Sequence, residues 1–176
     1  MAAEECAGYK GHSYYFGKFD EVLLMQIEYR IATSADIPSL ARLRSLGWGD
    51  TDYWIPRITA YMNGENNPQM ALPERVVYVA EEYSKVIGLV AGHLTRRLYC
   101  EGELEWIDVD TGYRRKGIAG ELVRLLAKWF EEQNAHKICV DPGNEDARKF
   151  YAALGAENLN AHWMYWKDIS VLLKDK

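Results

Sequence analysis

The stretch from residue 103 to residue 126 constrains this chain more than any other, because its apolar period changes once and abruptly. Residues 103–110 alternate charged and apolar side chains at the two-residue period of a strand, and Thr111 and Gly112 break the pattern. From Gly117 the spacing is helical. Ile118, Leu122, Leu125, Leu126 and Trp129 fall on one side, with Glu121, Arg124, Lys128, Glu131 and Glu132 on the other. Strand, tight loop and an amphipathic helix of about four turns follow in that order.

The loop between them carries Arg114, Arg115 and Lys116, then Gly117, Ile118, Ala119 and Gly120. Small residues let a ligand reach the free N–H groups of a first helical turn, whose dipole end favours an anion, and three neighbouring cations strengthen that preference. The segment is suited to phosphate. No Ser or Thr follows Lys116 as a P-loop requires, and no G-x-G-x-x-G run is present.

At 176 residues the chain is long enough for one domain with a substantial core. Residues 1–26 form an extension in which Gly8, Gly11 and Gly17 punctuate aromatic residues. It reads as a loose extension or a misplaced start, or as an arm that packs on the domain or on a homodimer partner. The domain then runs over residues 27–176. Residues 27–31 read as a first strand, Thr33 to Asp36 as helix caps, and Ile37, Leu40, Ala41 and Leu43 as the inner face of a helix containing Pro38. A second helix covers residues 52–62, with Tyr53, Trp54 and Tyr61 read as packing on the sheet. Residues 76–80 and 86–91 form a hairpin, the second strand continuing to Leu98, and residues 100–102 turn into the strand at 103. Residues 137–140 give a fifth strand. Asn144 caps a helix whose inner face is Ala147, Phe150, Tyr151 and Leu154 and which Gly155 stops; residues 162–168 are the last strand. A helix crossing between strands four and five makes that pair parallel in an otherwise antiparallel sheet, hence an α/β (α+β) class.

A net charge of −5 leaves no general basic surface and argues against nucleic acid, so the Arg-Arg-Lys cluster is a local site. Cys6, Cys100 and Cys139 lack metal or disulfide spacing, which points to a reduced, cytoplasmic setting and to no metal centre. No apolar run approaches membrane-spanning length and no secretory signal is read, so no membrane partner is expected.

Two segments together resemble one family. Arg114-x-x-Gly117-x-Ala119 is similar to the (Gln/Arg)-x-x-Gly-x-(Gly/Ala) signature of the GNAT superfamily of acetyl-CoA-dependent N-acetyltransferases. Asn144-x-x-Ala147-x-x-Phe150-Tyr151-x-x-x-Gly155-Ala156 resembles its second signature, in the expected place after strand five. The resemblance covers residues 28–168. It implies a single domain with a mixed, mostly antiparallel sheet of six to seven strands, helices on both faces, and a splay between strands four and five. Acetyl-CoA would be the co-substrate. Its pyrophosphate would sit on the N–H groups of the loop formed by Arg114, Arg115, Lys116, Gly117, Ile118, Ala119 and Gly120. Its pantetheine arm would dock along Ile107, Asp108 and Val109, with Asn144 bonding that arm or the neighbouring backbone.

The chemistry implied is direct attack of a neutral amine on the thioester, which needs a base, oxyanion stabilisation and an acid for the thiolate. Tyr151 is the expected acid. Glu103, Glu105 and Asp108 are base candidates by position, Glu105 first because similar family segments carry a carboxylate there; the competing readings are a water relay and a merely solvated strand face. Of four scattered histidines only His93, on strand three, could face the cleft, and each of the four reads as structural rather than catalytic. The acceptor would be the amine of a small molecule or a peptide, and the acidic balance and aromatics suit a cationic one. For Tyr53, Trp54 and Tyr61 the resemblance implies, as the alternative to packing on the sheet, contact with that substrate. A longer acyl donor and a catalytically silent acyl-CoA-binding sensor or partner-binding module are the alternatives; the intact Tyr151 speaks against the silent form.

Overall fold

The computed structural model describes residues 27–65 and 67–174; the N-terminal extension lies outside them. Strands β1 (Glu28–Ile31), β2 (Ala71–Glu82), β3 (Lys85–Thr95), β4 (Gly102–Val109), β5 (Ile138–Val140), β6 (Glu157–Asn158) and β7 (Met164–Trp166) form one sheet in the order β1-β2-β3-β4-β5-β7-β6. Every pair is antiparallel except β4 with β5. Helices α1 (Ile37–Ser45) and α2 (Thr51–Met62) cover one face. Helices α3 (Ile118–Glu132) and α4 (Glu145–Ala153) belong to the other. Among the described residues no helix is long and apolar enough to cross a membrane.

The expected hairpin closes through Tyr83 and Ser84, both at positive φ, the conformation that a two-residue turn matched to strand twist demands. The third strand ends at Thr95 rather than continuing to Leu98, because Leu98 and Tyr99 both adopt left-handed backbone inside a short 3-10 turn. The last strand is shorter than residues 162–168, and β6, too short to leave a periodic signal, pairs beside it.

Helix α3 buries Ile118, Leu122, Val123, Leu126, Ala127 and Phe130, while Leu125 and Trp129 are only partly covered. The inner face is therefore rotated toward Phe130 relative to the expected stripe. Gly102 explains the fit: a Cβ there would lie 2.3 Å from Phe130 Cε1, so the Phe130 ring packs directly on the β4 backbone. On the opposite face Leu40, Ala41 and Leu43 of α1 pack with Trp54, Ile58 and Tyr61 of α2 against Val77, Val79, Leu89 and Ala91.

Candidate active site

Strand β4 does not keep the simple alternation its sequence suggests. Ala91 of β3 faces Trp106 and the next residue, Gly92, faces Leu104, so Glu105 is an extra residue, a β-bulge. The bulge reassigns every side chain beyond it. Leu104, Ile107 and Val109 pack toward α3, whereas Trp106 packs toward α2. Glu103 and Glu105 converge: with His93 of β3 they place ligand-type atoms within 4.8 Å of one another.

The three carboxylates of β4 are not equivalent. Glu103 is buried and accepts from Arg97 Nε at 2.9 Å. Asp108 accepts from Arg44 Nη1 at 2.6 Å, and burial raises its proton affinity against that guanidinium's pull. Glu105 is half-buried and has no hydrogen bond or ion pair among the described residues. Desolvation, then the charge of Glu103, pushes Glu105 up from the ordinary carboxylate range, opposed by His93, Arg97 and Arg44. A carboxylate that is open, unpaired and raised toward neutrality is the form a general base takes. Glu103 and Asp108, each held by an arginine, are less fitted to it.

His93 is fully buried, its Nδ1 3.1 Å from the Tyr61 hydroxyl and its Nε2 3.6 Å from Glu103 Oε2. Tyr61 and Trp54 are core residues, 1% and 3% exposed, and Tyr53 is half-buried. Arg44 stacks over Trp54 with its guanidinium carbon 4.4 Å from the ring centroid. Tyr61 and Trp54 thus wall the site from behind.

Beside this face β4 and β5 part company. Their parallel pairing runs only from Gly102 with Ile138 to Leu104 with Val140. Residues 106–109 remain paired with β3 on one side, and on the other have no strand partner among the described residues. The main-chain edge over Ile107, Asp108 and Val109 is therefore open to a ligand's amides, although the Asp108 side chain is engaged with Arg44.

The anion loop lies at the far end of β4. Asp110 accepts from Gly112 N–H, and Arg114 Nε donates to Val109 O at 3.2 Å, fixing the turn. Gly117 caps α3 at φ +82°, and Arg115 precedes it at φ +64°. The first intrahelical bond runs from Glu121 N–H to Gly117 O, which leaves the Ile118, Ala119 and Gly120 N–H groups at the helix mouth. A Cβ at Gly117 or at Gly120 would meet nothing within 4 Å. The Ile118 side chain is buried in the core, so this residue offers only its backbone. An open helix N-terminus flanked by Arg114, Arg115 and Lys116 fits a pyrophosphate in charge and in space.

Asn144 accepts from Ala147 N–H at 2.9 Å as the N-cap of α4, so its side chain bonds neighbouring backbone. The helix carries Tyr151, 3% exposed, with its ring edge-on to Trp166. The Tyr151 hydroxyl has no hydrogen bond among the described residues. Burial and then the charge of Asp108 push it well above the ordinary phenol value, so it holds its proton. The charge of Arg44 lowers the proton affinity of both Tyr151 and Glu105. Sequence reasoning did not single out Arg44 or Arg97; each is an ordinary basic residue until the fold sets it against a carboxylate.

Comparison with known proteins agrees with this geometry. Residues 40–156 match the model of the acetyltransferase (GNAT) family. The fold is similar to that of an N-acetyltransferase from Staphylococcus aureus Mu50, at 17% identity and TM-score 0.62, over 82% of this chain and 99% of that one. Aminoglycoside 6'-acetyltransferase type Ii is 20% identical with TM-score 0.65, over 81% and 97% of the two chains. The PaiA N-acetyltransferase from Thermoplasma acidophilum, solved with coenzyme A, is 16% identical with TM-score 0.60, over 82% and 99%. No curated protein matches the sequence significantly. With two signatures, the divided β4–β5 pair and a family model spanning most of the domain, the chain belongs to the GNAT acetyltransferase family.

Proposed function

We propose that the protein transfers the acetyl group of acetyl-CoA to a primary amine of a small molecule or peptide by direct attack, with Glu105 as general base and Tyr151 as general acid. The observation that carries this reading is the contrast within β4: of three carboxylates beside the opening, only Glu105 lacks an ionic partner. The donor supplies an acetyl group already activated as a thioester. Arg114, Arg115, Lys116 and the N–H groups of the α3 mouth hold its pyrophosphate, and the free edge of β4 aligns its amides. Glu105 takes the proton of an incoming amine, a transfer favoured by a carboxylate raised toward neutral pH. Tyr151, kept protonated by its buried surroundings, donates to the departing thiolate, whose conjugate acid has a pKa of about 8.5. Thiol release from acetyl-CoA, measured against amines, amino acids and peptides, tests the reading. Acceptor-dependent release is expected; tight CoA binding without release on any acceptor would replace the enzyme with an acyl-CoA-binding module.

A further inference from the structure

His93 is a histidine with one satisfied nitrogen and one that is not. Among the described residues only two side-chain nitrogen or oxygen atoms that are themselves sealed from solvent lack a hydrogen-bond partner, Arg44 Nε and His93 Nε2. The Arg44 atom lies in a guanidinium stacked on Trp54 and already paired with Asp108. The His93 atom has no such explanation. It lies 3.6 Å from Glu103 Oε2, and the ring has a nitrogen within 4.8 Å of a Glu105 oxygen.

The neighbours decide where its proton sits. Burial keeps the Tyr61 phenol protonated, and its hydroxyl has His93 as its one partner among the described residues, so O–H donates to Nδ1. In the neutral ring the proton is then on Nε2, facing the acids. Glu103 is already held by Arg97 at 2.9 Å. Glu105, two residues along the same strand and in the same cluster, has no donor of its own among the described residues.

We propose that His93 is a positioning residue for the reaction: its Nε2–H, fixed in place by Tyr61, is reserved for the Glu105 carboxylate and holds that group oriented and ready to accept a proton. The proposal rests on Glu105 being the base. The groups that act on Glu105 come from every element around it: Glu103 on β4, His93 on β3, Arg97 in the turn after β3, and Arg44 on α1. Glu103 opposes ionisation; Arg97, Arg44 and, when it carries a charge, His93 favour it, but Arg97 is committed to Glu103 and Arg44 to Asp108, and the neutral His93 ring still offers its N–H. His93 is the uncommitted donor. It offsets the burial and the Glu103 charge that raise the proton affinity of Glu105.

Carbon-13 NMR of the full chain labelled at glutamate carboxyls reads this directly, with the Glu105 signal assigned by its loss in Glu105→Gln. His93→Leu should raise the Glu105 titration midpoint by about one pH unit, a tenfold change, and the acid limb of kcat should follow it. His93→Gln, which restores an N–H at similar reach, should return the midpoint to near the parent value. Should His93→Leu not fold, Tyr61→Phe removes the tautomer lock and should move the midpoint in the same direction. An unmoved midpoint in whichever of these folds overturns the role of His93, even if Glu105→Gln abolishes turnover. A midpoint that moves while the acid limb of kcat stays in place overturns Glu105 as the base, and with it the catalytic meaning of His93.

Discussion

Arg44 Nη1 donates to Asp108 Oδ2 across 2.6 Å, tying α1 to the part of β4 that has parted from β5. Both side chains are mostly covered, 15% and 19% exposed, so this pair couples more strongly than a surface ion pair. A double-mutant cycle with Arg44→Met and Asp108→Asn, followed by urea unfolding, should give a coupling energy of about 1–3 kcal/mol. A value near the exposed-pair level of about 0.5 kcal/mol would mean that solvent screens it.

The anion loop makes a steric prediction. Gly117→Val is strained at φ +82° and should cost about 1–2 kcal/mol of stability, so on its own it confounds folding with binding. Gly120 is helical with open space at its Cβ, and Gly120→Val should leave stability within about 1 kcal/mol of the parent. Calorimetry should show weakened CoA binding in both. Unchanged affinity in a folded Gly120→Val protein would argue against the helix mouth as the pyrophosphate site.

Asp36 gives a pH signature away from the site. It accepts from Thr33 N–H at 2.7 Å and from both terminal nitrogens of Arg30, which hold its carboxyl at about 2. A lowered folded-state value stabilises the protein above the unfolded pKa of about 3.9 and is lost as pH falls from there toward 2. The Arg30 side chain is 40% exposed, so screening reduces the contribution to about 1 kcal/mol. Unfolding free energy of the parent should fall by that amount between about pH 4 and pH 2 relative to Asp36→Asn; parallel pH curves would contradict it.

Much of this architecture was legible in the sequence because its signals are local. The period change around Gly117, the Asn144 cap, the positive-φ Gly155 and the β2–β3 hairpin each depend on a few neighbouring residues. The site was legible in part. Glu105 and Tyr151 stand at recognisable motif positions, but the bulge at Glu105, which re-aims Trp106 and Ile107, exists only against the register of β3. A strict alternation would put Ile107 on the same face as Glu103 and leave Trp106 with Leu104; one extra residue reverses both. The partners Arg97, Arg44 and Tyr61 come from other elements, so no local pattern marks them.

Tyr151→Phe separates acid catalysis from packing. The ring stays against Trp166 and only a hydroxyl without a hydrogen bond is lost, so stability should change by less than about 1 kcal/mol. Single-turnover acetyl transfer should slow by about 10²-fold, or about 2.7 kcal/mol of barrier, with CoA affinity retained. A rate within about threefold of the parent would mean that the thiolate departs without this proton.

Single-turnover acetyl transfer by Glu105→Gln at neutral pH addresses the central assignment, since the substitution keeps the side chain's size and removes only its capacity to take a proton. The account predicts a fall of about 10²-fold or more, with CoA affinity unchanged and the acid limb of the parent's pH profile gone. A rate within about twofold of the parent, with that limb intact, would contradict it and pass the proton to a water relay or to another carboxylate.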